Sequence, residues 1–205
     1  MVNYHEQLMS KSVTAPATEI SVVDKEHILL KPSTCTLEKS GITNQAGDLC
    51  YKIMKKTLSF KNEKVITDVK DNPLLVIKNG SSSSDIEIFS GTDDKKVLAS
   101  IVKGESFTDS EKYTVTYFNQ VTEKKETLAM NCAASYRSCG IFNGVEEEGA
   151  PLICRINEIK IKSFFSSKSK FDIEIAQGVD RLFMCAFALC LNELKTQSQM
   201  DDIAD

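Results

Sequence analysis

The sequence predicts a mainly β domain that encloses one C-terminal hydrophobic helix. Three observations carry that expectation. Short β-branched and aromatic runs recur along the chain, separated by turn residues and with no helical pattern between them. A single segment, residues 182–191, is apolar at every position. The length of 205 residues, with 41% hydrophobic and 26% charged residues, suits one domain with a core of its own.

The elements follow in order. Residues 1–26 mix Ser, Thr, Ala and charge without periodicity and are expected to form a mobile tail with at most one short ordered piece. Ile28-Leu29-Leu30 before Lys31-Pro32 opens the domain, which is expected to span 27–195. Residues 50–55 form the first strand-like run. Residues 65–69 lead through Lys70-Asp71-Asn72-Pro73 into 74–78, a strand, turn and strand with Asp-Asn-Pro supplying the turn chemistry. The same design recurs at 85–89 and 97–102, at 113–118 and 126–130, and at 139–142 and 151–156. Residues 170–176 alternate cleanly. Successive hairpins with no helix between them imply an antiparallel meander that closes on itself or stacks.

The helix begins after Gly178. Asp180 is a good N-cap, and Val179 with Met184 fits a hydrophobic staple. From Leu182 to Leu191 there is no polar face, so the helix has to be surrounded on every side. Ten residues span about 15 Å, half of a bilayer core of about 30 Å, which argues against a membrane crossing. A sheet of more than about eight strands closes into a barrel too wide for its own side chains to fill, and a helix fits that space. Residues 196–205 are polar and acidic and are expected to fray.

Composition narrows the function. A net charge of −4 removes a generally basic nucleic-acid binder. The N-terminus has no signal-like apolar run and no Met-Gly start, so a cytoplasmic protein is expected, peripheral to membrane if it meets one. The seven cysteines include no C-x-x-C and read as reduced, buried thiols; no metal site is expected. His5 and His27 lie in or beside the tail, away from any strand Ser or Cys, and there is no G-x-S-x-G, P-loop or G-x-G-x-x-G. Neither catalysis nor a cofactor is expected.

Two basic stretches stand out. Lys52, Lys55, Lys56, Lys61 and Lys64 carry one acid among them, Glu63. Arg155, Lys160, Lys162, Lys168 and Lys170 likewise carry Glu158. In a strand, Lys160 and Lys162 share the face away from the core while Ile159 and Ile161 face it, and Phe164-Phe165 follow. A basic strand beside an aromatic loop is what an anionic membrane surface would meet; a solvated outer strand face is the plainer reading. The lipid head-group candidates are Lys160, Lys162, Lys168 and Lys170, with Lys55, Lys56 and Arg155 behind them.

The Gly178-Val179-Asp180 start, the helix ending Cys190-Leu191-Asn192-Glu193 and the preceding Phe171-Asp172-Ile173-Glu174-Ile175-Ala176 resemble the C-terminal end of LURP-one-related proteins in their fungal form. Residues 60–77 and 123–130 resemble that family's hairpins. The resemblance covers roughly residues 30 to 195. It implies a tubby C-terminal-like fold, a closed antiparallel barrel of about twelve strands around the buried C-terminal helix, akin to tubby and phospholipid scramblase domains. It implies no established reaction. The leading expectation is a monomeric, non-enzymatic binding module for anionic phospholipid or phosphoinositide head groups. A protein-interaction scaffold without lipid dependence is the alternative, and scramblase-like activity the third.

Overall fold

The computed structural model describes residues 3–56, 63–80, 85–93, 95–107, 109–160 and 169–204. Among them run twelve strands: β1 (Ser33–Glu38), β2 (Gly41–Asn44), β3 (Leu49–Lys56), β4 (Glu63–Thr67), β5 (Pro73–Asn79), β6 (Ile86–Ser90), β7 (Val97–Ser106), β8 (Ser110–Asn119), β9 (Lys124–Ala133), β10 (Ser138–Phe142), β11 (Leu152–Lys160) and β12 (Ser169–Ile175). Helices α1 (Tyr4–Ser10) and α2 (Arg181–Ala204) stand at the two ends of the chain. Each strand pairs antiparallel with its chain neighbour, and β1 pairs with β12, so the meander closes into a barrel. At the seam Ser33 lies opposite Ile175 and Leu37 opposite Phe171.

Strand alternation sets what the barrel encloses. On β8, Tyr113, Val115 and Tyr117 point inward, while Phe118 is 52% exposed on the outside. Inward residues of the other strands join them in one core with α2. Along Leu182–Leu191 no side chain is more than 3% exposed. The helix is therefore a filler of the lumen, and Phe183 stacks between Tyr117 (ring centroids 5.6 Å apart) and Phe187 (4.6 Å). The expected architecture, a closed twelve-stranded barrel around a buried helix, is the one observed. Asp180 caps α2 as expected, its Oδ1 accepting from Phe183 N at 3.0 Å. Gly178 takes φ +79°, a left-handed turn that lets the chain leave β12 and re-enter the barrel as a helix.

Two expectations about the termini are corrected. The N-terminal segment is not a loose tail. Tyr4, Leu8, Ile20 and Val22 are buried on the barrel, and Thr14 N donates to Leu152 O at 2.8 Å. Tyr4 and Leu8 make a single i, i+4 pair, and Ile20 and Val22 follow only after a stretch without periodicity, which is too little pattern to read in advance. The C-terminal residues after 195 continue α2 as far as Ala204. Lys195 reaches Glu158 of β11, and Gln197 Nε2 donates to Asn79 Oδ1 at 3.4 Å, so the wall holds the helix past its apolar stretch.

Candidate binding site at the open mouth of the barrel

Helix α2 enters the barrel at one end and leaves at the other, and the two ends differ in chemistry. At the entry end the chain before β1 is drawn across the opening. Asp180 Oδ2 accepts from Val22 N at 3.0 Å and Val23 N at 3.2 Å, in addition to its cap bond. Burial pushes the Asp180 carboxyl up, against the pull of those three N–H donors. Asn119, fully buried, accepts from Ser21 N and Val121 N and donates to the Glu19 carbonyl and to Glu126. Gln120 Nε2 donates to the carbonyls of Val22 and Val23.

Beside this seal, Arg181 Nε donates to Tyr51 Oη at 3.2 Å, and His27 Nδ1 lies 3.3 Å from the same oxygen. The Cys35 thiol is held below its ordinary value, first by its hydrogen bond with Cys185 and also by Arg181. At 1% exposure that thiol meets no substrate.

The exit end carries a cavity. The turn from β1 to β2, the end of β3, the start of β4, the start of β12 and α2 surround a cavity of about 370 Å³. Its floor is apolar: Leu37, Ile53, Phe171 and Leu189. Leu189 is the residue of the helix's apolar stretch with a trace of exposure, because the cavity reaches down to it. Its rim carries Lys39, Lys55 and Lys64 with Glu38, Ser40 and Asn192.

Lys64 is only 6% exposed and ion-pairs with Glu193 of α2, which keeps its buried charge matched. Glu38 pairs with Lys170. Lys39 and Lys55 are exposed and form no ion pair among the described residues. The arrangement is an apolar pit with two uncommitted ammonium groups at its lip, suited to an anionic group joined to apolar matter.

Comparison with known proteins settles what the barrel is. The family model described as LURP-one-related matches residues 29–192. The chain belongs to the LURP-one-related family. The barrel is also similar to the X-ray structure of a protein from Arabidopsis thaliana, at 18% identity and TM-score 0.61, over 85% of this chain and 98% of that one. At that identity the likeness is one of fold. No curated protein matches the chain.

Within the LURP-one-related domain, the residues singled out in sequence have separate fates. Lys55 lines the cavity at the exit end. Lys170 lies across the β1–β2 turn from it but is committed to Glu38. Arg155 is elsewhere, on the outer wall, and is not available to a head group. Its Nη1 donates to the carbonyls of Leu8 (3.4 Å), Met9 (3.2 Å) and Lys11 (2.7 Å), and its Nη2 pairs with Glu174.

Lys56 ends β3 opposite Glu63, and Lys160 ends β11 opposite Ser169; both side chains lie outside the described residues. Lys162 and Lys168, with Phe164-Phe165, lie outside them altogether. The assumed alternation on β11 is corrected. Ile156 pairs with Ile173 and Glu158 with Phe171, all inner positions, so Ile159 falls with Lys170 on the outer face. Glu158 takes the inner position because Lys195 of α2 is there to meet it.

Sequence reasoning missed Lys39 and did not rank Lys64. The Glu38-Lys39-Ser40-Gly41 run after an alternating Thr-Leu segment was the turn signal that would have placed Lys39. The expectation that no histidine approaches a strand serine is also corrected. His5 Nδ1 lies 2.9 Å from Ser138 Oγ at the start of β10. Ser138 is fully buried, so the contact ties α1 to the wall and presents no nucleophile. All seven cysteines are free thiols, six of them buried, and burial pushes Cys190 up to about 12.

Proposed function

We propose that this LURP-one-related domain is a monomeric, non-enzymatic, cytoplasmic binding module that meets anionic phospholipid, with phosphoinositide head groups as the natural ligand, at the cavity where α2 leaves the barrel. The observation that carries this reading is the pit floored by Leu37, Ile53, Phe171 and Leu189 and lipped by Lys39 and Lys55, which form no ion pair among the described residues. A basic residue near an anionic surface contributes about 1 kcal/mol, so two of them give reversible, salt-sensitive attachment. No helix among the described residues is long and apolar enough to cross a membrane, which favours surface contact over the inserted helix that a scramblase-like role would use.

The test is co-sedimentation with vesicles containing phosphoinositide. Binding is expected at low salt, is expected to weaken as salt rises, and should fall about tenfold or more when Lys39 and Lys55 are both changed to Glu. Absence of sedimentation at low salt would end this reading. The interaction-scaffold alternative is favoured by a different surface, the outer wall that carries α1.

A further inference from the structure

The outer wall under α1 has the features of a receptor for a helix. β10 is buried on both faces: Cys139 and Ile141 look into the lumen, while Gly140 and Phe142 look out. The outward side forms a second apolar cluster, separate from the barrel core, from Phe142, Ala133 and Leu152 with Tyr4 and Leu8 of the arm. Leu8 seats because Gly140 has no side chain; a Cβ there would stand 2.7 Å from Leu8 Cδ1. Tyr4 and Leu8 are four residues apart and so share one face of α1.

Polar groups read both ends of the helix. Arg155 donates to three carbonyls at its C-terminal end, where a helix leaves carbonyls unpaired, and Glu174 orients the guanidinium. Glu146 accepts from the Tyr4 hydroxyl at 2.8 Å and ion-pairs with Lys11 at 2.9 Å. Burial and the adjoining Glu146 push the Tyr4 phenol up, so it stays a donor.

The helix that fills this receptor is short and depends on the wall for its order. It has seven residues and buries two of them, and helices of that length do not hold together alone. Gly140, Phe142, Leu152, Arg155 and Glu146 all fall inside the family-matched residues, whereas the arm precedes them.

We infer that this wall is a docking groove for a short amphipathic helix of a protein partner, one carrying Tyr, Leu four residues later and Lys three beyond that, and that residues 3–14 occupy it as an intramolecular placeholder. The wall contributes pocket, carboxylate and carbonyl-reading arginine; the tethered arm sets the affinity a partner has to exceed. This inference does not depend on lipid binding at the barrel mouth.

The test uses a fluorescent peptide of residues 3–14 and the full chain. The arm of the wild-type chain competes from its tether, so the peptide should bind weakly. Leu8→Ala in the chain should loosen the arm, leave the wall intact and tighten peptide binding by about tenfold. Adding Arg155→Ala should abolish the gain, and a peptide with Leu8→Asp should not bind. A Leu8→Ala chain that unfolds cooperatively yet binds the peptide no better than wild type overturns the inference. If Leu8→Ala does not fold, hydrogen exchange on the wild-type chain decides. The Lys11 amide should exchange at least about 100-fold faster than the β9–β10 ladder, and equal protection would mean a permanently fixed arm and overturn the inference.

Discussion

The end of the barrel where α2 enters and the end where it leaves are built from the same twelve strands, yet they solve opposite problems. At the entry end Asp180 and Asn119 have fixed protein partners: Asp180 accepts from the amides of Val22 and Val23 in the segment before β1 (the strap) and from a helix amide, and Asn119 accepts from two amides while donating to Glu19 and Glu126, although the buried Ser21 hydroxyl has no partner among the described residues. At the exit end the floor is apolar, and Lys39 and Lys55 stand at the lip with no ion pair among the described residues, Glu38 being paired with Lys170. A helix start leaves N–H groups that need acceptors, and the chain before β1 is available there to be bound by them. The exit has no such demand, because α2 simply continues outward to Ala204. The lesson is that the seal follows from the helix direction: a helix start calls for acceptors from the neighbouring chain, and a helix that continues outward does not.

The most severe way to break this comparison is to destroy the plug that both ends share. Ala188→Arg puts a charge with no partner into the fully buried middle of α2 and is expected to exceed 4 kcal/mol, leaving no cooperative unfolding transition by circular dichroism. A soluble, cooperatively folding variant would remove the enclosed helix. Next in size, Asp180→Ala at the sealed end strips one cap bond and leaves two strap amides without an acceptor, for about 3 kcal/mol. Lys55→Ala at the open end should stay within about 0.5 kcal/mol. Urea midpoints measure both, and equal losses would mean that the two ends are not different in kind.

The smallest effect sharpens the account of the seal. Glu126 is partly buried, which by itself raises its carboxyl, but bonds from Thr122, Asn119 and Tyr117 outweigh that and hold it below the ordinary carboxylate value. A carboxyl lowered in the folded state adds stability that is complete above its unfolded value, about 4.3, and is lost as pH falls through the folded one. Glu126→Gln should therefore cost about 1 kcal/mol at pH 7, toward the low end because solvent screens the site, and the gap to wild type should narrow as the pH drops below 4. A gap that does not change with pH would show that the charge of Glu126 plays no part in holding the strap.

The hairpins were legible because each is local: alternation in 113–118 and a turn at Asp71-Asn72-Pro73 are decided by neighbours in sequence. Strands β1 and β2 were not resolved in advance. Gly41–Asn44 is only four residues long, and its partners β1 and β3 hold it in place more than its own composition does. Lys55 was found at the site because basic residues cluster in sequence as well as in space there. Arg155 was misread because charge alone does not say whether a guanidinium faces water or the carbonyls of a helix nearly 150 positions away. Lys39 went unnoticed because the turn that exposes it belongs to those two unresolved strands.

The order of polar and apolar residues by itself determined that this chain makes antiparallel hairpins and that Leu182–Leu191 has to be enclosed, since an all-apolar helix has no side to give to water. Only the closed barrel decided which end the segment before β1 crosses, which lysines line the cavity at the other end and where residues 3–26 lie. Those outcomes depend on contacts between segments far apart in sequence, such as Asp180 with Val22 and Arg155 with Lys11, and no local pattern encodes a distance across the fold.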